Sequence, residues 1–87
     1  MKESLNVIDL FCGAGGLSYG FKKAGFNIIL GVDNDATALK TYKLNHPESE
    51  ILQGDISKIT RQDIKKIIGD KKIDIVTVYS PHLPLTR

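Results

Sequence analysis

The sequence predicts an α/β fold built on a parallel sheet, and three observations carry that reading. Short apolar runs rich in β-branched residues alternate with stretches of helical periodicity, the pattern of βαβ units with right-handed crossovers. A turn with three glycines in four positions, Gly13-Ala14-Gly15-Gly16, follows the first apolar run. Acids, Asp33 and Asp55, then stand at the ends of the next two runs. The expectation is a sheet of about four strands with three helices, roughly half of an ordinary doubly wound sheet.

Each element has its own signal. Leu5–Phe11 (LNVIDLF) is a largely apolar run that stops at Gly13, which reads as a buried strand. From Gly16 to Ala24, the residues Leu17, Phe21 and Ala24 recur at helical spacing, and Gly25 stands where a left-handed cap belongs. Asn27–Val32 (NIILGV) is the second strand. Ala38, Leu39 and Tyr42 mark an amphipathic helix that Pro47 bars from continuing. Ile51-Leu52 is a weak third strand. Thr60 with Asp63 resembles a capping box, opening a helix with Ile64, Ile67 and Ile68 inward, Lys65 and Lys66 outward, and Gly69 at its close. Ile73–Tyr79 is the fourth strand, with β-branched residues at most positions.

Composition narrows the function classes. A chain of 87 residues is a single domain at most; it buries about 60–65% of the surface its unfolded form exposes. The net charge of +2 is too mild to argue for nucleic acid by itself. One cysteine excludes a disulfide framework and fits a reducing compartment. No apolar run has the length of a membrane span, and Met1-Lys2-Glu3-Ser4 opens no signal peptide, so a cytoplasmic protein is expected. The Lys65-Lys66 and Lys71-Lys72 pairs read as solvated surface. His46 ends a helix without a second ligand beside it, so no metal site is expected.

The chemistry concentrates at one edge of the expected sheet. A glycine turn between strand and helix lets a ligand approach the backbone, and the helix start presents free N–H groups. The alternative is a tight turn that needs glycine for its dihedrals alone. The dinucleotide fingerprint G-x-G-x-x-G is broken, since Ser18 stands at its third glycine. Asp33 ends the second strand, where a carboxylate can accept both hydroxyls of a ribose in NAD and S-adenosylmethionine sites alike. Its structural alternative is a helix N-cap, a role that Asp35 fits better. Asp55 can accept an adenine amine while Ile56 touches the ring, or Gly54-Asp55 can serve only as a turn. Acids at the ends of two neighbouring strands favour an adenosine ligand.

These residues resemble the start of a cytosine-5 DNA methyltransferase. Asp9–Leu17 (DLFCGAGGL), Gly20-Phe21 and Ala24-Gly25-Phe26 are similar to the family's first motif. Asp33, Ala38, Tyr42, Asn45-His46-Pro47 and Gly54-Asp55-Ile56 follow in the family's order and spacing. The resemblance covers essentially the whole chain and implies residues 1–87 as one truncated S-adenosylmethionine-binding domain. It implies a partial Rossmann-like class I methyltransferase fold. Phe11 would pack on the cofactor, with Gly13, Ala14, Gly15 and Gly16 along its methionine end. Asp33 would hold the ribose, Asn34 would lie beside the adenine, and Asp55 and Ile56 would contact the adenine amine and ring.

The family attacks C6 of a flipped-out cytosine with a cysteine thiolate and then methylates C5. That cysteine belongs to a Pro-Cys-Gln segment after the fourth strand. Here Pro81-His82-Leu83 occupies the place, putting His82 at the nucleophile position. Cys12 stands in the cofactor turn, which the family does not use for catalysis. The expectation is a cofactor-binding front end, catalytically silent alone, with DNA as the family's substrate. Two other readings are a subunit of a split methyltransferase and a non-catalytic module that pairs or dimerises through the exposed edge of the fourth strand.

Overall fold

Strand β1 (Asn6–Leu10) has Val7, Ile8 and Asp9 all buried and lies inside the sheet, between two other strands. In the computed structural model, which describes residues 4–10 and 15–78, it is followed by helix α1 (Gly16–Lys23) and strand β2 (Asn27–Asp33). Helix α2 (Ala36–Asn45), strand β3 (Glu50–Gln53) and a single 3-10 turn (Ile56–Lys58) come next. Helix α3 (Arg61–Ile68) and strand β4 (Ile75–Val78) complete the order. The sheet runs β3-β2-β1-β4 with every pairing parallel. The expected α/β class, strand number and helix number all hold.

The two faces are covered by different elements. On one, Val7, Ile28, Leu39 and Tyr42 form a core joined by Phe21, Phe26, Ile51 and Ile75, so α1 and α2 lie there. On the other, Ile8, Ile29, Leu30, Val32 and Ile68 pack with Leu10, Leu52, Ile64 and Ile67, which places α3 there. Burying each such side chain contributes about 1.5–3 kcal/mol. A bulge lets the run Ile28-Ile29-Leu30 be buried throughout: Val7 pairs with Ile28 but Ile8 pairs with Leu30, so Ile29 is the extra residue.

Helix ends follow local rules. Gly25 is left-handed (φ +96°) after α1, turning the chain so that Phe26 meets Phe21 edge to face at 5.3 Å. Ala24 caps that helix in the open instead of extending its inner stripe, and the side chain of Leu17 lies outside the described ones. Asp35 caps α2 by accepting from the Thr37 and Ala38 N–H groups, and Thr60 and Asp63 form the reciprocal box that opens α3.

One boundary differs from expectation. The fourth strand begins at Ile75 and not at Ile73, because Asp74 turns aside at its entrance. The Asp74 carboxylate accepts the Asn6 N–H at 2.8 Å, and the Asp74 N–H donates to the Asn6 carbonyl at 3.0 Å. The expected last residue of that strand, Tyr79, lies outside the described residues. Among the described residues no helix is long and apolar enough to cross a membrane.

Candidate functional site

The parallel register brings the carboxyl ends of all four strands to one edge, with Leu10 opposite both Val32 and Val78 and Asp33 opposite Gln53. Of the residues expected at a ligand, Gly15, Gly16, Asp33, Asn34, Asp55 and Ile56 fall at this edge. Phe11, Gly13 and Ala14 lie outside the described residues, as do Cys12 and His82. The second- and third-strand ends are joined directly, since the Gly54 N–H donates to the Asp33 carbonyl at 3.0 Å. Asp33 and Asn34 therefore sit beside the Gly54-Asp55 turn.

The carboxylates there have different occupations. Asp33 Oδ1 accepts the Asp35 N–H at 3.0 Å, and the N-cap role goes to Asp35 as the sequence suggested. Asp55 Oδ1 takes both the N–H and the hydroxyl of Ser57, at 3.0 and 2.8 Å. Those bonds hold the Asp55 carboxyl below the usual carboxylate range. The turn-forming role of Asp55 is thus real, and both local bonds fall on one of its two oxygens.

The start of α1 is unlike the starts of α2 and α3. Its N-cap is Gly15, left-handed at φ +105°, and among the described residues no side chain caps it. The first-turn N–H groups of this helix are therefore left for water or a ligand. A Cβ at Gly15 would stand 2.6 Å from His46 Nε2, so the position excludes any other residue on two grounds.

Beneath the turn lies a buried polar network. Ser18 Oγ donates to Asp9 Oδ2 at 2.6 Å, which uses its one proton, so the Tyr42 hydroxyl must be the donor across the 2.8 Å Ser18–Tyr42 contact. Thr77 Oγ1 reaches Asp9 Oδ1 from β4 at 3.4 Å. Burial pushes the Asp9 carboxyl up, and its bonds from Ser18 and Thr77 oppose that push. The Tyr42 ring occupies the space over Gly31, where a Cβ would come within 2.5 Å of it. His46, one helical turn further, stacks obliquely on that ring at 4.7 Å and reaches the Gly15 carbonyl at 3.0 Å.

Ser18 and His46 are the residues whose roles the sequence did not reveal. Ser18 entered only as a missing glycine, and it is instead the fully buried junction between Asp9 and Tyr42. His46 was read as a helix end, and it is buried under the turn that precedes α1. A weak signal existed: Tyr42 and His46 stand four apart, on one face of α2.

An apolar recess of about 650 Å³ lies on the α3 face, bounded by Ile8, Leu10, Ile64, Ile68, Ile73 and Val76. Among the described residues it is lined from β1, α3, the segment after α3 and β4, and not by Gly15, Asp33 or Asp55.

The model of the C-5 cytosine-specific DNA methylase family matches residues 5–81. The Type II methyltransferase M.DdeI of Desulfomicrobium norvegicum is 42% identical over 66 residues, which is 76% of this chain and 16% of that enzyme. A crystal structure of a mutant Spodoptera frugiperda DNMT2 superposes with a TM-score of 0.74 at 32% identity, covering 97% of this chain and 25% of the other. The TehB-like SAM-dependent methyltransferase of Corynebacterium glutamicum shares the fold, with a TM-score of 0.68 at 22% identity over 92% of this chain and 39% of its own. The chain therefore has the Rossmann-like class I methyltransferase fold and spans well under half the length of each of these proteins.

Proposed function

The chain belongs to the C-5 cytosine-specific DNA methylase family, and on that premise we propose that residues 1–87 form a cofactor-binding unit for S-adenosylmethionine. One observation carries the reading: an uncapped helix start behind a left-handed glycine stands at the same sheet edge as Asp33 and the Gly54-Asp55 turn. The N–H groups at the start of α1, with Phe11, Gly13, Ala14, Gly15 and Gly16, take the methionine end. Asp33 accepts from the ribose hydroxyls. Asn34 lies beside the adenine, the unengaged Oδ2 of Asp55 accepts its amine, and Ile56 covers its ring. The bound cofactor supplies an activated methyl group for transfer to C5 of cytosine in DNA.

The chain by itself binds and does not transfer. Nucleophilic attack on C6 needs a thiolate at the position His82 occupies, and imidazole is a far poorer nucleophile there. Isothermal titration with S-adenosylhomocysteine tests the binding reading. The chain binds, and Asp33→Ala weakens binding at least about tenfold through loss of charge-assisted bonds. No heat of binding by the unaltered chain overturns the reading. Transfer of labelled methyl groups to cytosine-containing DNA by this chain alone overturns its silence.

A second reading concerns the open flank. On β4, Val76 and Val78 are 53% and 60% exposed, the strand pairs with β1 alone among the described residues, and the apolar recess lies beside it. We propose that further methyltransferase polypeptide packs on this flank, and that a second copy of the chain is the alternative occupant. Light scattering tests the second copy: a concentration-dependent dimer supports it, and a strict monomer excludes it.

A further inference from the structure

We propose that His46 is a positioning residue for the cofactor turn, holding the Gly15 carbonyl from below so that the start of α1 faces the ligand correctly; this rests on the cofactor reading above. The geometry assigns the proton. A carbonyl oxygen only accepts, so at 3.0 Å from Gly15 O the Nε2 atom must donate and carries a hydrogen. The same carbonyl accepts the Tyr19 N–H at 2.9 Å, so both of its lone pairs are taken. One bond begins the helix and the other ties the turn to α2.

The other ring nitrogen argues that the tie is more than packing. Nδ1 is buried with no hydrogen-bond partner among the described residues. A buried polar atom without a partner is costly, and an apolar side chain of similar size at this position avoids that cost. Gly15 would keep its bond from Tyr19 after such a change, so folding alone gives little reason for imidazole. What only the imidazole supplies is the lateral restraint on a residue that adopts φ +105° and has no side chain of its own. The restraint is itself held: the His46 ring lies against Tyr42, and Tyr42 is fixed through Ser18 to Asp9. The chain of contacts runs from β1 through α1 and α2 back to the turn that leaves β1.

The test compares His46→Leu and His46→Gln with the parent chain. Leucine removes both ring nitrogens, while the carboxamide of glutamine returns an N–H near the place of Nε2. For S-adenosylhomocysteine measured by isothermal titration, His46→Leu is expected to bind about tenfold more weakly, as the loss of one well-placed hydrogen bond implies. His46→Gln is expected to recover most of that loss. Thermal midpoints of the parent and His46→Leu should stay close, so that affinity and stability separate. Nitrogen-15 spectra of the parent, with the His46 signals identified by their absence in His46→Gln, should show a hydrogen on Nε2. That last readout is taken on the parent, and the variant serves only to identify its signals. A ring protonated at Nδ1 alone overturns the proposal, as does equal affinity of His46→Leu and the parent, or failure of His46→Gln to improve on leucine. Absence of binding by the parent chain overturns the cofactor reading and this inference with it, whereas equal binding by parent and variants overturns the positioning role alone.

Discussion

The two faces of this sheet solve the burial problem in opposite ways. The α3 face is filled by aliphatic side chains alone, Ile8, Ile29, Leu30, Val32 and Ile68, and it stays half open beside β4. The face under α1 and α2 is closed, yet at the strand ends it buries an acid, a serine, a tyrosine hydroxyl and an imidazole together. A void on an aliphatic face costs dispersion and transfer energy that neighbours can partly recover by shifting. A buried polar set has no such tolerance, since each member depends on the geometry of the next. Gly15 stands over the intolerant face, where small shifts are resisted.

The comparison can be broken most sharply at Gly31. Its Cα leaves room only for the Tyr42 ring, so Gly31→Ala is expected to lower unfolding stability by about 3 kcal/mol in urea titration through overpacking. Adding Tyr42→Leu should return part of it; a mild effect of the single change would show that the polar face yields after all. On the other face, Ile68→Ala should cost about 2 kcal/mol, near the low end for such truncations because the recess beside it lets the site relax. A cost equal to that of Gly31→Ala would erase the distinction.

Asp9 gives a smaller effect with a definite sign. Its folded value lies above the unfolded 3.8, so its contribution to stability is complete below 3.8 and is lost as pH rises through the folded value. The stability of the parent relative to Asp9→Asn should therefore increase as pH falls toward 3.8. Subtracting the two curves removes the carboxyls held low, such as Asp63 at the start of α3, whose contribution disappears as pH falls. A flat difference would mean that Asp9 is more hydrated than its burial implies. The smallest effect belongs to the open flank, where Val76→Thr should change stability by less than about 0.5 kcal/mol.

Local signals made most of the fold legible. The alternation of runs, the Asp35 cap and the Thr60–Asp63 box depend on residues within one turn of each other, so their physics is contained in the sequence. The proximity of Asp33 to the Gly54-Asp55 turn was legible because strand ends and parallel order alone bring them together. Ser18 and His46 were not legible in this way. The partner of Ser18 lies nine residues away on β1 and another 24 away on α2, and the partner of His46 lies 31 away. A polar residue in a helix reads as solvent-facing until the packing of two helices on one face is known. The entrance of β4 was misjudged for the same reason, since only contact with Asn6 turns Asp74 out of the strand.

That clamp has a consequence for the order of assembly. Asn6 binds Asp74 through two bonds across 68 residues, and its side chain adds a third to the Lys72 carbonyl at 2.7 Å. A chain emerging from the ribosome amino end first can pair β1 with β2 early, but the other flank of β1 must wait for almost every residue of α2, β3 and α3 to be made. Loop-closure entropy rises only slowly with length, so the delay adds little to the equilibrium cost. Its weight falls on time: β1 keeps one side unpaired until the residues up to Asp74 have been made, and the arrival of Asp74 ends that interval.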